Sequence, residues 1–519
     1  MGNRLFKSAV LLALAAAALM AVWPSLMTKP APQQIRGKNN TILFVTSELY
    51  GLANVHLATT YALLESHPDA EVHYASFPKF ASRVKRTSSQ AQKAAPKASE
   101  ATFHALNGRA YGEASSLTQV TGSEMMVHPP GLASADGFCR IMKLGLSPWP
   151  ADEYHDIYLS VKRIIEETNP AIVVLDMLLN PALDATRDMN RAHAILTPNV
   201  LTGLAPAVQP SYKVLWKWPA FASGYPFPMP WSLIPANIYL NLQAIRCALS
   251  SIDAGGKRAN LKSKGIQKPL DFLGMYRPDV PWITQTLPGA HFPLDNIPSN
   301  VICTGPINLA DVGGERDEGR EIINWVKRAP TMLISLGSHY KYTKQQAAVM
   351  MEAIQQVLRQ TGVQVLWKVV LPDAVDDSFL QNMDQSVSDR FRAERWLDVE
   401  PPSLLLLDTM VVSVHHGGAG CFHDALSAGV PQVILPLWVD LYDFAQLVEY
   451  LGIGTWACQN TSPHWTAECL ASAFLKVLES TEASDDMKHR AKGFGDQAQV
   501  QSGRTIAAEE VAKLAALGT

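Results

Sequence analysis

Two histidines followed by a glycine-rich run stand out as residues that could carry chemistry. His415 and His416 precede the sequence GGAG, which ends at Gly420, and follow a mostly apolar, β-branched run at 411–414. Glycines let the backbone approach a ligand closely, and the first N–H groups of a helix that opens after such a turn attract an anion. The pattern therefore predicts a phosphate-binding loop. A tight strand-to-helix turn that uses glycine only for its structure is the alternative.

The residues on either side of this loop predict a strand, a helix and a second strand. A helical pattern follows the loop, with Phe422 and Leu426 on one face and Gly429 as its C-cap. A short apolar run then ends at Pro436, which completes a βαβ unit. The loop is not a dinucleotide-binding fingerprint, because G-x-G-x-x-G is absent. It is not a P-loop either, because no lysine followed by serine or threonine comes after it.

The stretch 411–454 resembles the nucleotide-sugar signature of the UDP-glycosyltransferases of glycosyltransferase family 1, whose fold is GT-B. In that signature a histidine, glycines and a hydroxyl residue hold the diphosphate of a UDP-sugar. The positions that correspond to this set are His416, Gly418, Ala419, Gly420 and Cys421. The resemblance further implies that Asp424 binds the ribose and that Asp440 binds the sugar.

Two positions depart from the signature. Cys421 stands where the family has a hydroxyl residue, so one phosphate hydrogen bond is weaker or lost. Leu441 stands where the family has a glutamine beside the sugar-binding acid. The resemblance therefore leaves the identity of the sugar open.

Two further positions are expected to approach the same ligand. The apolar run at 331–336 predicts a strand that delivers Gly337 and Ser338. This turn resembles the first C-terminal loop of the family, whose serine approaches the phosphates. Trp396 resembles the tryptophan that stacks on uracil, and a flat aromatic face suits a base.

The N-terminal half predicts a parallel sheet with a ligand-binding edge at the carboxyl ends of its strands. In the family a catalytic histidine directly follows a glycine after the first strand, but here Leu52 follows Gly51. His56 stands one helical turn later, in a GLANVHLA segment that resembles a fungal branch of the superfamily. Because positions i and i+4 share a helix face, His56 is the predicted catalytic base. A helix histidine without a catalytic role is the alternative.

Asp176 is the predicted partner of this base. It directly follows the apolar strand pattern at 171–175, and in the family an acid at this place orients the catalytic histidine. A carboxylate that only caps the next helix is the alternative.

These patterns predict an α/β protein with two Rossmann-like domains that face each other across a cleft. The predicted parts are an N-terminal domain at 41–309, a linker at 310–320, a C-terminal domain at 321–485 and a last helix at 486–519 that crosses back. Residues 81–125 are polar and predict a surface excursion. Residues 198–240 combine prolines with aromatic residues and predict an irregular segment, which would line an acceptor cleft, lie against a membrane or simply pack on the domain.

The first residues predict a hydrophobic helix outside both domains. An apolar run spans 9–23 after two basic residues, and we expect a signal anchor at 1–27 with a polar tether at 28–40. A cleaved signal peptide is the alternative. The expected location is therefore the endoplasmic reticulum membrane, with a single pass. Sequons at Asn39 and Asn460 would matter only if the catalytic part faced the lumen.

Composition limits the partners. The 519 residues are long enough for several domains, and the net charge of −3 argues against nucleic acid. Six cysteines lack CxxC spacing, so no zinc motif is present, and the resemblance implies neither metal nor cofactor. We expect an inverting transfer of a hexose from a UDP-sugar to a hydroxyl of an apolar small molecule, with glucose as the first candidate for the hexose. A membrane-lipid or sterol acceptor, or a non-catalytic nucleotide-sugar-binding subunit, is the alternative.

Overall fold

The computed structural model describes residues 33–519, apart from 116–125, 202–208, 253, 272–276, 278, 310–316, 338–339, 373–377, 382, 396–398 and 400. Over these residues the chain folds into two parallel β-sheets, each with helices packed on it. The predictions for Ser338, Trp396 and the segment 1–27 lie outside the described residues, as does most of the predicted linker.

Seven parallel strands form the first sheet. They are β1 (Lys38–Val45), β2 (Glu71–Ser76), β3 (Thr102–Ala105), β4 (Pro170–Leu175), β5 (His193–Thr197), β6 (Trp282–Thr284) and β7 (Val301–Cys303). Their spatial order is β3-β2-β1-β4-β5-β6-β7, so the order reverses between β1 and β4. Ligands of such sheets bind beyond the carboxyl ends of the strands at this switch point. The first sheet therefore offers a ligand-binding edge just after residues 45 and 175.

Eight helices belong to the first part of the described chain. They are α1 (Tyr50–Ser66), α2 (Ala81–Ala94), α3 (Tyr111–Ala114), α4 (Ser134–Gly145), α5 (Ala151–Thr168), α6 (Asn180–Asp188), α7 (Ile234–Ile252) and α8 (Lys257–Ser263). The polar region that predicted a surface excursion holds α2, whose inward side carries Val84, Thr87, Ser88 and Ala91. After β5, residues 209–233 form only short 3₁₀ turns and loops, as the composition of 198–240 predicted, whereas residues 234–240 begin α7.

The second sheet repeats the same topology with six parallel strands. They are β8 (Thr331–Ser335), β9 (Gln364–Lys368), β10 (Phe391–Glu394), β11 (Met410–His415), β12 (Gln432–Ile434) and β13 (Gly454–Trp456). Their order is β10-β9-β8-β11-β12-β13, which places the switch point between β8 and β11. Both strands of that pair are largely buried, which explains their mostly apolar sequences.

The remaining helices pack on this sheet or leave it. They are α9 (Asp317–Val326), α10 (Lys344–Gln360), α11 (Pro401–Leu405), α12 (Ala419–Ala428), α13 (Asp440–Leu451), α14 (Ala467–Leu478), α15 (Glu482–Val500) and α16 (Gly503–Ala515). The segment predicted as one last helix is therefore two helices, α15 and α16. The second of them returns to the first sheet, where Ala507, Ala508, Val511 and Ala515 pack in its core.

An apolar cluster joins the two domains on one side of the molecule. Trp218 and Phe292 of the first domain pack in one buried cluster with Phe422, Tyr442 and Trp456 of the second. Gly224 lies against this cluster, because a Cβ atom at that position would be 2.7 Å from the Trp456 ring. Trp218 and Gly224 of the irregular segment therefore take part in the contact between the two domains.

The prediction of a single-pass membrane protein is wrong as far as the described chain can test it. No helix within the described parts of 33–519 is both long and apolar enough to cross a bilayer.

Four of the six cysteines pair in two disulfides. Cys139 of α4 is bonded to Cys247 of α7, and Cys458 is bonded to Cys469 of α14. Cys303 and Cys421 are free thiols.

Candidate active site

The loops after β8 and β11 meet at the switch point of the second sheet. The ring of His416 lies between two glycines there. A Cβ atom on Gly337 would be 2.7 Å from Cε1 of His416, and one on Gly418 would be 2.6 Å from its Nε2. Both glycines therefore make room for the imidazole, which the structure places beside the start of α12.

A second histidine shapes this turn. Nδ1 of His415 accepts a 3.0 Å hydrogen bond from the N–H of Gly417, so Nε2 carries the proton and donates to Gln432 at 2.9 Å. Burial lowers the pKa of His415 to about 4, which keeps the ring in this neutral form. Gly417 has φ +95°, where glycine is favoured. Sequence reasoning assigned no role to His415, and its only signal was the histidine pair.

The N-terminus of α12 is open toward the cleft. Gly418 is its N-cap and has no side chain to occupy the first N–H groups. Gly420 has no atom within 4 Å of where its Cβ would be, and it lines a cleft between the domains that is open to solvent. Burial raises the pKa of the Cys421 thiol to about 12, so it stays neutral. The helix end therefore presents donors and a positive partial charge to whatever enters the cleft.

Asp424 lies one turn further along α12 and lines the same cleft. Its Oδ1 accepts a 3.4 Å hydrogen bond from the side-chain amide of Asn308, which also donates to Ser427 at 2.7 Å. Asn308 belongs to the strand-to-helix connection between the domains. The acid is therefore placed at the domain boundary, with one oxygen toward the first domain.

Asp440 is the first residue of α13, and its side chain is half-buried. Burial raises the pKa of this carboxyl to about 6. The preceding residue, Val439, has φ +25° and ψ −117°. Leu441, at the position of the family's glutamine, is only 2% exposed and packs in the core of the second domain, so it does not face the cleft.

The other wall of the cleft belongs to the first domain. Gly51 and Asn54 of α1 face Gly420 across it. Nη2 of Arg83 donates a 2.5 Å hydrogen bond to Oδ1 of Asn54, and its guanidinium lies 4.1 Å from the centre of the Tyr50 ring. This wall therefore carries amide and guanidinium groups opposite the open helix end.

The predicted catalytic pair of His56 and Asp176 is not formed. His56 is 0% exposed and lies inside its own domain, where its Nε2 is 3.0 Å from the carbonyl of Leu196. Burial lowers the pKa of this histidine to about 3. A helix turn rises about 5.4 Å, so a residue one turn beyond the sheet edge faces the middle of the sheet instead of the cleft. His56 is a core residue in this structure.

Asp176 has a different partner. Its Oδ2 accepts hydrogen bonds from the hydroxyl of Ser47 at 2.6 Å and from the N–H of Ser47 at 3.1 Å, and its Oδ1 accepts one from Leu178 at 2.8 Å. Burial raises the pKa of Asp176, and the bonds from Leu178 and Ser47 partly oppose this. The acid thus fastens the loops after β1 and β4 to each other.

Two doubly wound sheets whose switch points open onto one cleft define the GT-B class of glycosyltransferases. Solved structures agree. The glycotransferase of kitacinnamycin is 18% identical and matches with a TM-score of 0.60 over 92% of this chain and 99% of its own. A UDP-glucosyltransferase from Polygonum tinctorium is 14% identical and matches with a TM-score of 0.60 over 94% of this chain and 99% of its own.

Sequence comparison places the chain within the class. Residues 374–496 match the family of the erythromycin biosynthesis protein CIII-like C-terminal domain. The glycosyltransferase sdnJ of Sordaria araneosa is 32% identical over 515 residues, covering 92% of this chain and 99% of the relative. The chain therefore belongs to glycosyltransferase family 1 and is a sugar-transferring enzyme. A shorter match joins it to a sterol 3-beta-glucosyltransferase of Leptosphaeria maculans, 33% identical over 20% of this chain and 7% of that protein.

Proposed function

We propose that this enzyme transfers a hexose from a UDP-sugar to a hydroxyl of an apolar small molecule such as a polyketide or another secondary metabolite. Glucose is the first candidate for the hexose. The open N-terminus of α12, with His416 beside it, carries this proposal. The match to a family named after erythromycin biosynthesis supports a secondary-metabolite acceptor.

The donor would lie with its diphosphate on the helix end. In this proposal the N–H groups of Gly420 and Cys421 and the ring of His416 bind the diphosphate, and Asp424, which lines the same cleft as Gly420, accepts the ribose hydroxyls. Asp440 would accept hydroxyls of the sugar. Fixed donors of this kind stabilise the charge that develops on the leaving diphosphate. No metal is needed for this step in the proposal.

The acceptor hydroxyl would enter from the side of the first domain. Its oxygen forms the new bond to the anomeric carbon from the face opposite the diphosphate. The bond between the anomeric carbon and the phosphate oxygen breaks, its electron pair leaves with UDP, and the configuration inverts. The proton of the acceptor hydroxyl passes to water in the solvent-open cleft, because His56 is enclosed in its own domain and does not reach the acceptor.

Mass spectrometry of reaction products tests the proposal. The enzyme is incubated with a panel of UDP-sugars and hydroxylated apolar acceptors, and a product one hexose heavier than its acceptor is expected. His416→Ala should lower kcat/KM by about 10²–10³-fold, as loss of a preorganised donor does. His489→Ala, an exposed histidine on α15, is the matched control. Tight binding of UDP-sugars without transfer to any acceptor in the panel would contradict the proposal.

A sterol is the second candidate acceptor. The local similarity to a sterol 3-beta-glucosyltransferase favours it. Including a sterol in the acceptor panel distinguishes the two candidates, since the product masses differ.

A further inference from the structure

A segment of the first domain reaches across to the loop that precedes Asp440. His128 makes two hydrogen bonds to that loop and one to the first turn of α13. Its main-chain N–H donates to the carbonyl of Leu437 at 3.1 Å, its Nε2 accepts the N–H of Val439 at 2.9 Å, and its carbonyl accepts the hydroxyl of Tyr442. One residue of the first domain therefore spans the connection from β12 to α13.

The surroundings of His128 fix its protonation state and its orientation. The bond from Val439 requires an unprotonated Nε2, so Nδ1 carries the proton and donates to the carbonyl of Pro129 at 2.9 Å. The ring is buried, with the residue 3% exposed, and burial lowers its pKa. A Cβ atom on Gly137 of α4 would lie 2.3 Å from its Cγ. These contacts therefore fix the ring in one orientation, in which its acceptor nitrogen, Nε2, points to the second domain.

Val439 is in a conformation that requires support. A β-branched residue with φ +25° and ψ −117° is an outlier, and such conformations persist only where the surroundings hold them. The bond to His128 is made by the N–H of this very residue. Asp440 follows directly, so the direction of its side chain depends on the backbone of Val439.

We propose that His128 is a positioning residue for the donor sugar, because it holds Val439 in this conformation and thereby sets the place of Asp440. The inference rests on the proposed role of Asp440 in sugar binding. It also links the domains, since the sugar-binding acid is held by a residue of the opposite domain. The diphosphate site at α12 has no contact with His128 itself among the described residues, but the His416 ring lies 6.0 Å from the ring of Trp438 in the loop that His128 holds, so UDP binding should be affected less than UDP-sugar binding.

Two variants separate positioning from packing. His128→Ala removes the acceptor, whereas in His128→Gln the side-chain oxygen can take the place of Nε2. His489→Ala on the surface of α15 is the matched control. Calorimetry with UDP and with the UDP-sugar that wild type prefers is the first readout, and hydrogen–deuterium exchange of the peptide spanning 436–443 is the second.

The expected results differ between the two ligands. His128→Ala should weaken binding of the UDP-sugar about tenfold, the effect of one lost hydrogen bond in a preorganised site, and leave UDP within about twofold. It should also raise exchange in 436–443, and His128→Gln should restore most of both effects. Equal losses for UDP and UDP-sugar, or unchanged exchange in 436–443, would overturn the inference.

Failure of the proposed function would look different. If wild type binds no UDP-sugar more tightly than UDP and transfers no sugar, the proposed donor site is wrong. Hydrogen exchange in 436–443 still shows in that case whether His128 holds the loop. If His128→Ala does not fold, Tyr442→Phe replaces it, because it removes the bond to the carbonyl of His128 together with the hydroxyl's contact with Ser462.

Discussion

The hydroxyl of Ser47 lies 2.6 Å from Oδ2 of Asp176, at the switch point of the first sheet. This is the place where the sequence predicted a histidine–aspartate pair. Both residues are fully buried, and the serine donates twice to the same oxygen. In this chain the acid thus has a partner from the loop after β1, and it stabilises the edge on which the acceptor is proposed to lie.

The pair should contribute to stability. Ser47→Ala removes one of the donors to a buried carboxylate, and we expect the free energy of unfolding to fall by about 1–3 kcal/mol. Urea denaturation measures this. Ser89→Ala on the exposed side of α2 is the matched control and should change stability by no more than about 0.5 kcal/mol. An unchanged stability of Ser47→Ala would show that the bond has no net effect.

His56 should be dispensable for catalysis. His56→Gln keeps a side-chain N–H that can donate to Leu196. Because His56 is enclosed in its own domain, we expect kcat to stay within about threefold of wild type, whereas loss of a general base would lower it by about 10²–10⁴-fold. Steady-state kinetics with the preferred donor test this, together with a thermal unfolding curve for each protein. A hundredfold fall in kcat at unchanged stability would restore His56 as the base.

The same histidine should make the fold sensitive to acid. Its pKa is lowered to about 3 in the native state, against about 6.5 in the unfolded chain, so the unfolded state binds more protons between these values. Stability from His56 is therefore present above pH 6.5 and is lost as the pH falls toward 3. Between pH 7 and pH 5, wild type should lose about 2 kcal/mol more than His56→Gln. If the free energy of unfolding, measured in urea, changed equally with pH in the two proteins, the burial of His56 would be contradicted.

Space beside His416 should be required for donor binding. In Gly418→Ala the new Cβ would be 2.6 Å from Nε2 of His416, so the ring must move, and we expect affinity for the UDP-sugar to fall about tenfold. Gly493→Ala on the exposed face of α15 meets no atom within 4 Å and is the control. It should gain up to about 1 kcal/mol of stability and bind the donor normally. If the two variants bound the UDP-sugar with equal affinity, His416 would not be part of the donor site.

Much of the second domain followed from sequence patterns. The run from β11 through the glycine turn to α12 appears in the structure where the periodicity and the Gly429 cap indicated, and the loops of Gly337 and His416 meet as expected for neighbouring strands of a parallel sheet. These features depend on local rules, namely strand burial, glycine turns and helix caps.

The errors came from features that depend on the assembled fold. The helix α1 is apolar on most of its faces, so its sequence could not show that His56 faces β5 while Leu52 remains at the edge. The helix α2 was hidden by its polar composition, although Val84, Ser88 and Ala91 have helical spacing. The bond between His128 and Val439 joins residues 311 positions apart, and no local pattern announces it.

The return of α16 to the first sheet affects the order in which the protein can fold. The first domain emerges first from the ribosome, but part of its core is formed by residues 507–515. Until that segment has been synthesised, a strip of apolar surface beside β1 and α1 stays uncovered. The newborn first domain should therefore depend on chaperones for as long as the second domain is being translated.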